Sequence, residues 1–212
     1  MSEVTEFKFS STGSVSRGFG PQGSVTFSEV MKQVNKAAGM TKTGVALGTI
    51  ANLTLIADVG VLSGELYGYQ GLIGIVGATT GTTRLFISFF TPKQIQLAED
   101  MVLASGNSIW NANQIENSLK HIRVAKNCSK AVPLFGLAGI ALVTAGISGI
   151  INDNDGGYVC WCTGWAFAMA GFTTSIITRT HILKAQRILE AGNGSYNLGI
   201  SNNGICLSYK WH

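Results

Sequence analysis

The residues best suited to chemistry are few, and their spacing serves none of the common reactions. Cys160-Trp161-Cys162 is the nearest thing to a metal or redox pair, yet with Cys128 and Cys206 it makes no metal-binding spacing. It opens an apolar stretch, where cysteine behaves as a small buried hydrophobe. His121, His181 and His212 lie in basic or terminal segments, where interfacial or solvated roles are expected. Gly77-Ala78-Thr79-Thr80-Gly81-Thr82-Thr83-Arg84 is rich in glycine but lacks the lysine of a phosphate loop. Nucleophile elbows, zinc helices and dinucleotide fingerprints are absent. No catalytic residue, metal ligand or cofactor is expected.

Asp58 and Arg84 lie inside apolar stretches, and an ionisable group in such a place invites a functional reading. Asp58 stands 14 residues beyond Gly44 and Arg84 six before Phe90. At the helical rise they lie about 21 Å and about 9 Å from the same face. A gap of roughly 12 Å is too wide for a direct bridge. Each is expected to reach its own interface, Arg84 by snorkelling inward.

The stretches that hold these residues define the architecture. Residues 44–62, 70–90, 131–151 and 158–178 are nearly free of charge and about 20 residues long, the length of a transmembrane helix. Only 12% of the chain is charged, against about 25% in soluble domains, and the deficit falls in these blocks. The expected fold is an all-α membrane protein: four transmembrane helices as two tandem hairpins, with amphipathic interfacial helices and short β-like termini.

Orientation follows from charge. The connections 63–69 and 152–157 carry Glu65, Asp153 and Asp155 but no lysine or arginine. Of the 15 basic residues, all but Arg84 lie in the N-terminal, central and C-terminal segments. The positive-inside rule places both termini on the cytoplasmic or equivalent face. The start, Met1-Ser2-Glu3, leads into no apolar core, so insertion is expected to use internal segments.

The halves look like copies. Lys32 and Lys120, Ala37 and Ala125, Lys42 and Lys130, Gly48 and Gly136, and Ala57 and Ala145 are each 88 apart, as in 130 − 42 = 88. Leu103-Ala104-Ser105-Gly106-Asn107 resembles Leu189-Glu190-Ala191-Gly192-Asn193. Thr26–Glu29 reads as a capping box, with an equivalent start at Asn113–Glu116. The chain therefore divides into a polar, β-like segment 1–26, a first repeat 27–107, a second repeat 108–194 and a hairpin-like tail 195–212 about Asn202-Asn203-Gly204. Within the repeats, polar helices are expected before residue 44, over 92–105 from a start at Thr91-Pro92, over 114–127 and over 179–191.

Those helices either lie on the membrane or pack as a layer beside it. Lys32, Lys36, Lys42, Lys126, Lys130, Arg179, Lys184 and Arg187 are the candidates for anionic headgroups. Small residues at four-residue spacing offer helix packing: Gly60, Gly64 and Gly68; Gly77 and Gly81; Ala141, Ala145 and Gly149. The net charge of +4 is spread without interleaved aromatics, which argues against nucleic acid. The lipid bilayer and other membrane subunits are the expected partners. The favoured function is a non-enzymatic structural or accessory subunit. A pore-forming, lysis or small transport protein, or a membrane-shaping hairpin protein, is the alternative.

Overall fold

The computed structural model describes residues 25–62, 70–106, 109–152, 156–192, 194–201 and 204–211. The β-like N-terminal segment through residue 24, Gly64, Gly68 and the acidic residues Glu65, Asp153 and Asp155 lie outside the described residues, as does the side chain of Asp58. Among the described residues there are four long helices: α1 (Phe27–Leu62), α2 (Gln70–Ser105), α3 (Ala112–Ile151) and α4 (Gly156–Gly192). In the tail, the backbones of β1 (Gly194–Ser201) and β2 (Gly204–Trp211) pair antiparallel, with Ser201 opposite Gly204.

Local signals set the helix starts. Thr26 Oγ1 accepts from the Glu29 N–H, and the Glu29 carboxylate accepts from the Thr26 N–H and hydroxyl, a capping box. The second box is centred two residues earlier than the sequence suggests. Asn111 Oδ1 accepts from the Gln114 N–H at 2.8 Å, and Gln114 Oε1 accepts from the Asn111 N–H at 3.1 Å. Gly106, with φ 53°, closes α2 in the left-handed region that glycine enters freely.

The helices are longer than expected. Residue 92 does not start a new helix: Pro92 lies inside α2, as Pro133 lies inside α3. A proline removes one N–H from the ladder, and hydroxyls close to each proline bond back to carbonyls of their own helix. Thr91 Oγ1 donates to the Ile87 carbonyl at 2.9 Å, and Ser129 Oγ to the Lys126 carbonyl at 2.8 Å. The surface helices and apolar stretches of the sequence reading are therefore single rods. The shortest have 36 residues, about 54 Å at the helical rise.

Neighbours pair in a ring: α1 with α2, α2 with α3, α3 with α4, and α4 with α1. Contacts run antiparallel, since Gly77 approaches Thr54 while Gly48 approaches Arg84. The two ends are built on opposite rules. At the polar end each helix points one apolar stripe inward, making a core of Val30, Val34 and Ala37, Ile95, Ala98 and Val102, Leu119, Ile122 and Ala125, and Ile182, Ala185 and Leu189. Trp110 closes that end, donating from Nε1 to the Leu189 carbonyl at 2.8 Å. At the other end the large apolar residues face out. Apart from Leu97 and Leu103, the exposed large apolar residues stand there, Leu134, Ile75 and Ile151 among them at 68%, 68% and 75% exposure. Apart from Val132 and Trp161, the interior there is built of small residues: Gly139, Gly146, Gly157, Gly164 and Gly171 are buried.

Glycine lets α3 and α4 touch backbone to backbone. A Cβ on Gly164 would stand 2.6 Å from the Val143 nitrogen, and one on Gly146 or Gly157 would run into the backbone of Trp161 or Ile150. These glycines recur every seven residues, as in 146 − 139 = 7 and 164 − 157 = 7, the seam period of left-handed helix pairs. The row expected from sequence is displaced, because Ala141 and Ala145 are exposed and only Gly149 approaches α4, near Gly157. Gly77 does pack, 3.0 Å from Thr54 Oγ1 by its would-be Cβ, whereas Gly81 faces open space. Gly60 is described by backbone alone, within α1.

Buried positions recur at fixed offsets. Val30, Val34 and Ala37 on α1 match Ser118, Ile122 and Ala125 on α3 at 88, as in 118 − 30 = 88. Ile95, Ala98 and Val102 on α2 match Ile182, Ala185 and Leu189 on α4 at 87, as in 182 − 95 = 87.

Two helices, Leu72–Ser105 of α2 and Ala112–Ile151 of α3, are long and apolar enough to cross a membrane.

Candidate functional site

A layer of hydroxyls separates the two regimes. Thr41, Ser88, Thr91, Ser129, Ser175 and Thr178 converge from all four helices around a void of about 20 Å³, room for roughly one water. Their hydroxyls donate to carbonyls three or four residues back in their own helices. The layer also follows the fixed offsets, since 129 − 41 = 88 and 175 − 88 = 87.

Arg84 enters this layer instead of snorkelling to its own interface. Nη2 donates to Ser175 Oγ at 3.4 Å, and the guanidinium carbon lies 5.9 Å from the centre of the Phe172 ring. Glycines open the path: a Cβ on Gly48 would stand 3.1 Å from the guanidinium, and one on Gly171 would stand 3.6 Å from Nη2. Gly171 is the residue at Arg84's offset in the second half, 171 − 84 = 87, so one half supplies the side chain and the other the space. The sequence reading missed this because depth alone does not say which way a side chain turns. The expectation for Asp58 concerns a side chain outside the described residues; its backbone is ten residues along α1 from Gly48, about 15 Å at the helical rise.

Beside the layer, a crevice of about 360 Å³ opens between α2 and α3, with α1 behind it. Its walls are mainly apolar, from Leu55, Ile73, Leu85, Val132, Ile140, Val143 and Ile147. Arg84 and Asn52 line it, and the Asn52 amide is buried with neither its nitrogen nor its oxygen partnered among the described residues. The sequence reading passed over Asn52, a single neutral amide within an apolar stretch.

Basic residues ring the outside of the layer. Lys42, Lys93, Lys130 and Arg179 each follow a layer hydroxyl by one or two residues, one per helix. Lys93, not picked out from the sequence, completes the set. Lys32, Lys36, Lys184 and Arg187 do not share that level. Because the polar segments continue the helix axes, Lys32, ten residues from Lys42, stands about 15 Å beyond it. Lys126 is engaged elsewhere: with Arg123 it pairs with Glu99 in the polar end.

The polar end holds the other organised charges. Burial alone would push the Glu99 carboxyl up, but hydrogen bonds and charge from Lys126 and Arg123 prevail and hold it below the ordinary carboxylate range. His121 and His181 meet across α3 and α4, Nδ1 to Nδ1 at 2.9 Å, so one ring must donate to the other. Burial lowers both below the ordinary histidine value, helped at His121 by the charges of His181, Lys184 and Lys120 and at His181 by Lys184. Cys128, Cys160 and Cys162 are free thiols. Among the described residues no three His, Cys, Asp or Glu side chains gather closely enough to hold a metal ion.

No family model, no curated protein and no solved structure matches this chain.

Proposed function

We propose that this chain is a four-span integral membrane protein, built from two copies of one helical hairpin, that serves as a non-enzymatic structural or accessory subunit of a larger membrane assembly. The observation that carries this reading is the reversal of burial along the bundle. A water-facing bundle hides its large apolar side chains, as the polar end does with Val30, Ile95, Ile122 and Ile182. A lipid-facing bundle packs on small residues and turns large ones outward, as the other end does. Ile50, Leu53 and Ile56 on α1 and Tyr158, Val159, Met169, Ile176 and Ile177 on α4 belong to the same outward belt, which supports spans by those helices too. The stretch 131–151 has 21 residues, about 31 Å, close to the ~30 Å hydrocarbon core. The Lys42, Lys93, Lys130 and Arg179 ring at the edge of the belt supports the polar end as the positive-inside face, against anionic headgroups.

Duplication is supported by buried residues and layer hydroxyls repeating at 88 and 87. The subunit role rests on Ala141, Ala145 and Ser148, exposed small residues along the outer face of α3 where a second helix can approach closely. Membrane extraction followed by native mass measurement tests it. Recovery in the membrane fraction as a discrete complex with other proteins is expected; a carbonate-soluble chain contradicts the membrane reading, and a lone monomer contradicts the subunit role.

One observation favours the alternative of a small transport or pore protein: the crevice brings Arg84 and Asn52 into the apolar half. Solute flux or conductance from liposomes containing the purified chain alone would support that alternative over the subunit role.

A further inference from the structure

The two halves differ at specific places that line the crevice. On α4, Trp161 and Trp165 stack with centroids 6.1 Å apart. The α2 positions at the same offset, 161 − 74 = 87 and 165 − 78 = 87, are Gly74 and Ala78. Two indoles on one hairpin are thus answered by two small, crevice-lining residues on the other. Gly74, Ala78, Thr82, Ile140 and Thr144 line the crevice and are exposed, so it opens sideways, onto lipid under the membrane reading on which this inference rests.

We infer that the crevice binds a single-chain fatty carboxylate, its head between Arg84 and Asn52 and its tail along the apolar walls of α2 and α3. Asn52 lies four residues, about 6 Å, along α1 from Gly48, against which the guanidinium rests. A carboxylate between them accepts from the guanidinium and from the Asn52 Nδ2–H, which gives the buried amide nitrogen a partner it lacks within the fold. Among the described residues the ion pairs are those of Glu99, so Arg84's charge has no carboxylate counterpart there. Volume sets the tail. A cavity of about 150 Å³ takes benzene's six carbons, so about 360 Å³ takes on the order of fourteen heavy atoms. That is room for one chain of about twelve carbons inside the crevice, not for two tails together.

Native mass spectrometry of the full chain in a non-ionic detergent, with laurate, dodecanol or acetate added, tests the assignment. One bound laurate per chain is expected, at least tenfold more occupied than dodecanol, which lacks the charge, or acetate, which lacks the tail. Arg84→Gln should lose that preference. Gly74→Trp should lose laurate altogether, since Gly74 lines the crevice, a Cβ there meets nothing within 4 Å, and an indole takes up that open volume. Dodecanol binding as well as laurate, undiminished laurate in Arg84→Gln, or preferential uptake of phosphatidylglycerol would overturn the inference. The ligand series on the unmodified chain decides even where a variant fails to fold. Its failure leaves membrane extraction, the test of the parent reading, unaffected.

Discussion

Glu99, with a side chain 7% exposed, ties α2 to α3 through Arg123 and Lys126. Hydrogen bonds to charged groups contribute roughly 1.5–3 kcal/mol, less here because Arg123 is 58% exposed and screened. Glu99→Gln is expected to cost about 1–2 kcal/mol by chemical denaturation, most of it lost already below the ordinary carboxylate range, where a group with a depressed folded-state value no longer contributes. The histidine pair has its own pH window. With folded-state values below the ordinary one, the folded chain holds fewer protons than the unfolded chain. Stability is full above about pH 6.5 and falls as pH drops through that value. A thermal melt should weaken between pH 7.5 and pH 5.5, and the His121→Gln, His181→Gln double variant should remove that part of the decline. The sequence flags Arg84 as an ionisable residue in an apolar stretch, but the Gly48 and Gly171 spaces that let it turn inward appear only once α1 and α4 are beside it.

Among the elements, the α3–α4 seam depends most on residue size. Gly146→Leu and Gly164→Leu push side chains into the partner backbone and are expected to cost at least the upper part of the roughly 1–3 kcal/mol typical of overpacking. Gly81→Ala meets nothing within 4 Å and should stabilise by about 0.5–1 kcal/mol through helix propensity. Comparing these variants by thermal unfolding in detergent tests the seam; equal effects at all three sites would refute it. The seam is hard to read from sequence because its packing glycines recur at seven residues, and four-residue rows of small residues elsewhere in the chain give the more visible pattern. Helix existence was legible from four apolar blocks and the Thr26 box. Helix extent was not: Thr91-Pro92 carries a local start signal, but the rod continues and Thr91's hydroxyl bonds back to Ile87.

Across the bundle, one boundary divides the molecule, where the hydroxyl layer and the ring of Lys42, Lys93, Lys130 and Arg179 meet the outward apolar belt. Charge asymmetry in the sequence supports the proposed direction, and the repeated 88-residue spacing anticipated the offsets of the core residues. The coaxial polar end was not anticipated, because an amphipathic stripe looks the same whether it faces lipid or three other helices. Cys128 lies two residues on the polar side of Lys130, and Cys160 near the start of α4 at the opposite end. Single-cysteine variants retaining one or the other, labelled in sealed vesicles with a membrane-impermeant maleimide, should react from opposite sides. Labelling of both from the same side would contradict the four-span arrangement.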